Sequence, residues 1–289
     1  MKSAPFEYLA PATLDAAVGA LAGEGGDAKV LAGGQSLIPM LALRLTRPTV
    51  LVDINHIAGL DGLRESSGTL EIGALVRQRD LERWAASRSA LFAEVLRHVA
   101  HPPIRNRGTV VGNVVHADPA SELPALLLCL DGVVAARGPR GERAVAADQL
   151  YRAPLTTSLG ADEVATAVRF TLPAAGEGWG FAEVARRHGD FALVGAIAVV
   201  ARAAGGPITR ARLAFFGAGG TPTRGVAGER ILEGQAPTPA RLAEAGRAAA
   251  AALSPDDDIH ATAAYRRRVA ATLAERTLAA ALGRCGGGA

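Results

Sequence analysis

Cysteine is scarce in this chain, and its scarcity excludes two kinds of site. The 289 residues include two cysteines, Cys129 inside an apolar run and Cys285 in a Gly-rich tail. Two thiols in such different surroundings do not indicate a disulfide framework, which favours a reducing compartment, the cytoplasm. An iron–sulfur cluster needs about four thiolates, so any such cluster must belong to another chain.

Aromatic residues and lysine are also rare. Aromatics make up 4% of the chain, and its lysines are Lys2 and Lys29. Few aromatic rings mean few platforms on which the bases of a single-stranded nucleic acid could stack. The arginines are interleaved with Asp and Glu instead of forming a basic stripe, although the formal charge is +3. We therefore expect no nucleic-acid partner.

Several motifs are missing or stand in the wrong context. The N-terminal stretch lacks a basic region followed by an apolar segment, so neither a signal peptide nor a membrane span is predicted. The chain contains no G-x-S-x-G and no G-x-x-x-x-G-K-[ST], which argues against hydrolase and P-loop classes. Residues 23–28 and 217–220 are glycine-rich but do not join a strand to a helix, as a Rossmann fingerprint must.

A metal site and catalytic residues are likewise not predicted. His98 and His101 have the spacing of a metal-binding pair, but Pro102 interrupts the helix that would present both on one face. No cluster of acids, bases or nucleophiles stands out along the chain. We therefore expect the chain to carry no metal and no catalytic side chain of its own.

Apolar periodicity divides the chain into helices and strands. It predicts a helix over residues 13–22 capped by Thr13, strands over 29–31, 48–54, 69–72 and 164–172, and helices within 75–100 that stop before Pro102. Later it predicts strands over 181–184, 192–201 and 212–216, then helices over 239–253 and 260–282. Residues 173–178 have the Gly/Pro composition of a linker. We therefore expect two domains, 1–175 and 176–289.

Two loops rich in small residues have the composition of an anion-binding site. Residues 32–36 read Ala-Gly-Gly-Gln-Ser directly after a predicted strand, and residues 109–113 read Thr-Val-Val-Gly-Asn. Small residues let successive backbone amides point at one anion, while a hydroxyl adds a hydrogen bond. A tight turn is the simpler explanation of the first loop taken alone. Together the two loops indicate one diphosphate held from both sides, beside the acidic segment 118–122.

Three stretches resemble one protein family. Residues 32–40, with 43–45 and 52–54, are similar to its A-G-G-x-S-L and L-x-D-I pattern, although Gln35 stands where His is frequent. Residues 104–113 and 116–124 carry its most specific motif, residues 185–194 resemble its R-R-x-G-D-F-A segment, and residues 265–267 resemble its Y-R-R. Over nearly its whole length the chain thus resembles the FAD subunits of molybdenum hydroxylases of the xanthine and carbon monoxide dehydrogenase type.

The resemblance implies a fold and a set of cofactor contacts. The implied fold is α+β: a two-part FAD-binding domain of the p-cresol methylhydroxylase and vanillyl-alcohol oxidase type, with parts at about 1–57 and 58–175, then a smaller domain with an antiparallel sheet and helices. The implied contacts with FAD come from Leu31, Ala32, Gly33, Gly34, Gln35, Ser36, Leu37, Thr109, Gly112, Asn113, Asp118 and Glu122. The amides of both loops would hold the diphosphate, with Asp118 and Glu122 near the flavin or its sugar portions.

The same resemblance implies an electron-transfer role in a larger enzyme. Electrons would arrive from a partner 2Fe-2S subunit and leave through FAD to NAD, a quinone or oxygen. Substrate oxidation would occur at molybdopterin on a large subunit, in an assembly that is a dimer of heterotrimers. Such a chain needs no catalytic residue, because the cofactor carries the chemistry.

Two other interpretations stay open at this point. One is a stand-alone FAD-dependent oxidase or dehydrogenase on the same fold, which would purify without partners. The other is a protein that has lost the flavin, for which Gln35 and Val111 are the hints. In the second loop the family often has a Gly-Gly pair before Asn or Ser, whereas here Val111 precedes Gly112. Val111 must keep a negative φ, or the second loop must differ slightly.

Overall fold

The chain begins with a small parallel sheet. The computed structural model describes residues 2–286, so Met1 and residues 287–289 of the predicted domains lie outside the described residues. The first elements are β1 (Glu7–Leu9), α1 (Leu14–Gly23), β2 (Ala28–Leu31), α2 (Leu37–Ala42) and β3 (Val50–Asp53). Strand β3 lies between β1 and β2 and is buried throughout. The predicted cap of α1 is confirmed, because Thr13 accepts a hydrogen bond from the Ala16 amide.

The second region is built on an antiparallel sheet. In chain order its elements are β4 (Leu63–Ser66), β5 (Thr69–Gly73), α3 (Gln78–Arg88), α4 (Ala90–His98), α5 (Pro102–Arg105), α6 (Val110–His116), α7 (Glu122–Cys129), β6 (Val133–Gly138), β7 (Gly141–Ala146), α8 (Ala147–Leu150), β8 (Tyr151–Ala153), β9 (Thr156–Thr157) and β10 (Val164–Thr171). Five strands pair in the order β4-β5-β10-β6-β7, and β8 pairs with β9. Strand β10 lies in the middle, and its apolar residues Val164, Val168 and Phe170 are buried accordingly.

The last region is a second antiparallel sheet with three helices. Its elements are β11 (Gly178–Ala185), β12 (Ala192–Arg202), β13 (Ile208–Phe216), β14 (Thr223–Arg224), α9 (Val226–Leu232), α10 (Pro239–Ala251) and α11 (Ala263–Arg284). The strands pair in chain order. Gly180 on β11 lies so close to α11 that a Cβ there would be 2.1 Å from the Thr277 carbonyl oxygen. Only glycine permits this approach of strand and helix.

Helix α7 lies between the two antiparallel sheets and is buried over its whole length. Its leucines share one apolar core with Phe170 of β10 and with Ile197 and Val199 of β12. The alternate residues of β12, such as Ala196 and Ala198, face the second core beneath α10 and α11. Both faces of β12 are therefore covered, which explains why this strand is apolar without alternation.

The structure departs from the sequence predictions in one loop and several short elements. Residues 109–113, expected as a loop, begin helix α6, for which Thr109 is the N-cap. The hairpin of β6 and β7 and the short helices α5 and α9 were not predicted. No helix among residues 2–286 combines the length and the apolar character needed to cross a membrane.

Candidate cofactor-binding site

A cavity of about 400 Å³ opens at the carboxyl ends of β2 and β3. It is lined by Leu31, Ala32, Gly33, Gly34, Gln35, Ile38, Pro39, Asp53, Asn55 and Arg107. Five of the predicted contacts, residues 31–35, thus line one cavity. Ser36 and Leu37 continue the same segment, as the N-cap and first residue of α2. The cavity lies at the carboxyl ends of parallel strands, where ligands of α/β sheets commonly bind.

The first loop presents a run of free amides. Within residues 2–286, the amides of Gly33, Gly34, Gln35 and Ser36 donate to no other protein group. Gly34 has φ of 72°, the left-handed conformation that turns neighbouring amides toward one concave side. The Gln35 side chain donates to the Gly33 carbonyl at 3.3 Å and so steadies the loop itself. Free amides on a concave loop fit an anion such as a diphosphate.

The two predicted loops meet at Gly33. A Cβ on Gly33 would lie 2.5 Å from the Arg107 carbonyl oxygen and 2.8 Å from the Thr109 amide nitrogen. The backbone of the first loop therefore packs directly on the segment that leads into α6. This contact brings together two segments that are far apart along the chain, as the sequence prediction required.

The second loop differs from the prediction in how its amides are used. The Thr109 hydroxyl accepts from the Gly112 amide at 3.1 Å, the Thr109 carbonyl accepts from the Asn113 amide, and the Val110 amide donates to the Val76 carbonyl. Val111 has no positive φ because it lies in the first turn of α6. The expected run of free amides is therefore not formed here. Thr109 before an apolar, helix-spaced run was a signal for this N-cap.

The remaining predicted contacts, Asn113 within α6 and Asp118 and Glu122 after it, do not line the cavity. The Ser121 hydroxyl donates to Asn113 Oδ1 at 3.1 Å, and Asp118 Oδ1 accepts from the Ala120 amide at 2.9 Å. The Gly217 amide donates to the Pro119 carbonyl at 2.7 Å, which ties this turn to the end of β13. Asn113, Asp118 and Glu122 thus form a second cluster, held against the C-terminal sheet.

Glu122 is the most perturbed acid of that cluster. Its side chain is buried at the first turn of α7. Burial raises the pKa of Glu122 to about 8, and the charge of Glu183 adds to the shift. The carboxyl is therefore largely protonated at neutral pH, when it can donate a hydrogen bond as well as accept one.

The cavity also contains polar residues that motif reasoning did not assign. Asp53 accepts from the Tyr8 hydroxyl at 2.6 Å and from the Asn55 amide at 2.8 Å. Burial alone would raise the pKa of Asp53, but the hydrogen bonds from Tyr8 and Asn55 outweigh it and hold the pKa below its ordinary value. Asp53 is thus ionised on one side of the cavity. Its place at the carboxyl end of β3 was the available signal, because β3 ends beside β2.

Arg107 supplies the positive charge of the cavity. Among the residues that the structure describes, no carboxylate lies within 4.0 Å of its guanidinium. A cation without an anionic partner, beside four free amides, completes an environment suited to a multiply charged anion. The residues present therefore fit a cofactor that carries a diphosphate.

Comparison with other proteins places this geometry in a family. The model of the FAD binding domain in molybdopterin dehydrogenase matches residues 4–174, and that of the CO dehydrogenase flavoprotein C-terminal domain matches residues 179–281. The chain is 40% identical to the 6-hydroxypseudooxynicotine dehydrogenase complex subunit alpha of Paenarthrobacter nicotinovorans, over 98% of this chain and 97% of that one. It is 37% identical to the carbon monoxide dehydrogenase medium chain of Hydrogenophaga pseudoflava, over 97% and 98%.

Solved structures agree with these relatives. Carbon monoxide dehydrogenase from Hydrogenophaga pseudoflava superposes with a TM-score of 0.95 at 37% identity, covering 99% of this chain and 100% of that chain. Quinoline 2-oxidoreductase from Pseudomonas putida 86 gives a TM-score of 0.91 at 35% identity, covering 98% and 99%. The predicted fold, a FAD-binding domain followed by a smaller domain with an antiparallel sheet and helices, is confirmed. The chain belongs to the family of FAD-binding medium subunits of molybdenum hydroxylases.

Proposed function

We propose that this chain binds FAD and transfers electrons as the flavin subunit of a molybdenum hydroxylase. The observation that carries the proposal is the run of free amides at residues 33–36, beside the unpaired cation of Arg107. The amides and Arg107 would hold the diphosphate of FAD by charge-assisted hydrogen bonds. Asp53 is ionised, so the diphosphate binds at the amide end of the cavity and away from this carboxylate.

The remaining predicted residues complete the proposed site. Leu31 and Ala32 line the cavity, and Leu37 begins the helix that follows the first loop. Thr109 and Gly112 form the start of α6, and Thr109 lies against Gly33. Asn113, Asp118 and Glu122 contact the flavin or its sugar portions. FAD, when bound, supplies the acceptance and release of electrons, so this chain orients the cofactor and excludes water around it.

We also propose the division of the chain that the linker at residues 173–178 indicates. Residues 1–175 form the FAD-binding domain, with parts at about 1–57 and 58–175, and residues 176–289 form the C-terminal domain. The two family models support this division, since one ends at residue 174 and the other begins at residue 179. The turn between β10 and β11 falls in the same segment.

The proposed partners are a molybdopterin-binding large subunit and a 2Fe-2S small subunit, assembled as a dimer of heterotrimers. Two cysteines do not suffice for a cluster on this chain, so its electrons must come from a cluster on another chain. The names of the relatives, such as medium chain and medium subunit, support a place in a multi-subunit enzyme. We expect the cytoplasm as the compartment, where the two free cysteines stay reduced.

A titration of the purified full chain tests the binding step. FAD is added to the flavin-free protein, and the change in flavin absorbance and fluorescence gives the dissociation constant. FMN is the matched ligand, because it carries the same flavin without the diphosphate and adenosine. We expect FAD to bind at least about tenfold more tightly than FMN, as charge-assisted contacts to the diphosphate require. Equal affinities would contradict the diphosphate site.

A pull-down from the source cells tests the assembly. The chain carries an affinity tag, and the captured material is analysed for flavin, molybdenum and iron. Flavin together with both metals supports the electron-transfer subunit. Flavin with neither metal favours a stand-alone FAD-dependent oxidase or dehydrogenase, and a chain that takes up no flavin contradicts both.

A further inference from the structure

Two side chains connect the loops that form the cavity. Asn55 Nδ2 donates to the Ala32 carbonyl at 2.8 Å, and Arg77 donates from Nη1 to the Arg107 carbonyl at 2.7 Å. The two side chains are joined to each other, because Arg77 Nη2 donates to Asn55 Oδ1 at 2.7 Å. A continuous chain of hydrogen bonds therefore runs from the first loop to the segment before α6.

The bridge joins parts of the molecule that belong to different sheets. Asn55 follows β3 of the parallel sheet, while Arg77 follows β5 of the antiparallel sheet and precedes α3. The backbone around Arg77 also pairs with the second segment: Arg77 and Thr109 form an antiparallel bridge, and the Gln78 amide donates to the Gly108 carbonyl at 2.8 Å. Asn55 and Arg77 thus connect the first loop with the segment before α6, which carries the cavity residue Arg107.

The Asn55 end of the bridge is fully paired, and the Arg77 end is influenced by a second positive charge. Asn55 Nδ2 also donates to Asp53 Oδ1 at 2.6 Å, so each polar atom of its amide group has a partner. Burial lowers the pKa of Arg77, and the nearby charge of Arg107 lowers it further. The guanidinium of Arg77 thus lies on the backbone of a second arginine, Arg107, whose side chain lines the cavity. A diphosphate bound there would relieve their repulsion.

We propose that Asn55 and Arg77 act as one positioning device for the FAD diphosphate, fixing the first loop against the segment that carries Arg107. This inference rests on the proposed function, since it needs FAD as the ligand. The pair acts through the loops: Asn55 holds the Ala32 carbonyl, and Arg77 holds the Arg107 carbonyl. With both carbonyls fixed, the free amides and the Arg107 side chain are held in place before the ligand arrives, which reduces the entropy lost on binding.

Substitutions of the full chain test the pair. Arg77→Met keeps the stem but removes both donors, and Asn55→Ala removes the link to Ala32. Arg83→Met is the matched control, because Arg83 lies on α3, is exposed, and forms its one ion pair within residues 2–286 with Asp80, at 3.1 Å. We expect Arg77→Met and Asn55→Ala each to raise the FAD dissociation constant on the order of tenfold, and Arg83→Met to leave it unchanged.

Two further variants separate positioning from general damage. The double variant should bind FAD about as weakly as the weaker single variant, because each substitution breaks the same bridge. Arg77→Lys keeps the charge but cannot fork between two acceptors, so its dissociation constant should fall between those of the wild type and Arg77→Met. Melting temperatures without FAD verify that each variant is folded. If Arg77→Met does not fold, Arg77→Lys takes its place in the binding measurements.

Amide hydrogen exchange without FAD provides a readout that needs no ligand. We expect faster exchange at residues 33–36 and 107–109 in Arg77→Met, with no such change in Arg83→Met. If the wild type binds FAD and Arg77→Met binds it equally well, the inference is overturned. If the wild type binds no FAD, the proposed function fails and the positioning role fails with it. If the exchange rates at residues 33–36 and 107–109 are the same in Arg77→Met as in the wild type, the bridge does not hold these segments and the inference is overturned.

Discussion

His98 Nδ1 lies 3.0 Å from Glu183 Oε1, so α4 is joined to β11 across the division between the two proposed domains. The ring of His98 also packs on Phe181, with ring centroids 4.8 Å apart. The hydrogen bond that His98 donates to Glu183 raises the pKa of His98, and the charges of Glu183 and Glu94 add to the shift against the effect of burial. This contact makes the stability of the chain depend on pH.

The first prediction concerns His98→Gln. Because the pKa of His98 is raised in the folded state, the stabilising effect of the protonated pair is complete below the ordinary value of 6.5 and is lost as the pH rises through the folded-state pKa. We expect the variant to lose about 1.5 kcal/mol of unfolding free energy under acidic conditions and less at alkaline pH. Urea unfolding of the wild type and the variant, once at acidic and once at alkaline pH, measures the two losses of unfolding free energy. Val95→Ala on the same helix carries no titratable group, so its loss should be equal at both.

The second prediction concerns Glu122→Gln. The pKa of Glu122 is raised to about 8 by burial, so above its ordinary value of 4.5 the folded chain holds a proton that the unfolded chain has released. The wild type must therefore lose stability as the pH rises through this interval. Glutamine does not ionise, and the variant should gain stability relative to the wild type as the pH rises. Melting temperatures without FAD test this, and a constant difference across the interval would refute it.

The third prediction compares Gly33→Ala with Gly19→Ala. A methyl group on Gly33 collides with the backbone of residues 107–109, which cannot move without opening the site. We expect a loss of about 1–3 kcal/mol of stability together with weaker FAD binding. Gly19 lies inside α1, and a Cβ added there would have no atom within 4 Å outside its own helix backbone and chain neighbours. Alanine at this position should therefore stabilise the chain by about 0.5–1 kcal/mol and leave FAD affinity unchanged. Similar behaviour of the two variants would contradict the close contact at Gly33.

The fourth prediction concerns the N-cap of α6. Thr109→Val removes the hydroxyl that accepts from the Gly112 amide, while Thr109→Ser keeps it. The valine variant should lose about 1 kcal/mol of unfolding free energy, and the serine variant much less. Chemical denaturation of both variants measures the difference. If serine were as damaging as valine, the role of Thr109 would be its packing rather than its hydrogen bond.

Local patterns predicted much of the fold because they depend on contacts within a few residues. The cap at Thr13, a buried strand within residues 48–54, and in the last region the long strand β12 and the helices α10 and α11 were all predicted and are confirmed. The hairpin of β6 and β7 was missed because half of its strand residues are Ala or Gly, which favour strands weakly. It is held by pairing with β10, which comes later in the chain.

The sequence by itself determined which segments bear the cofactor motifs, and therefore the family and the proposed cofactor. Tertiary structure decided how those segments work. It placed Gly33 on the backbone of residues 107–109 and added Asn55, Arg77 and Arg107 to the site. The reason is physical: these contacts form only when separate sheets pack together and exclude water. No local pattern of residues records which distant carbonyl a buried side chain will meet.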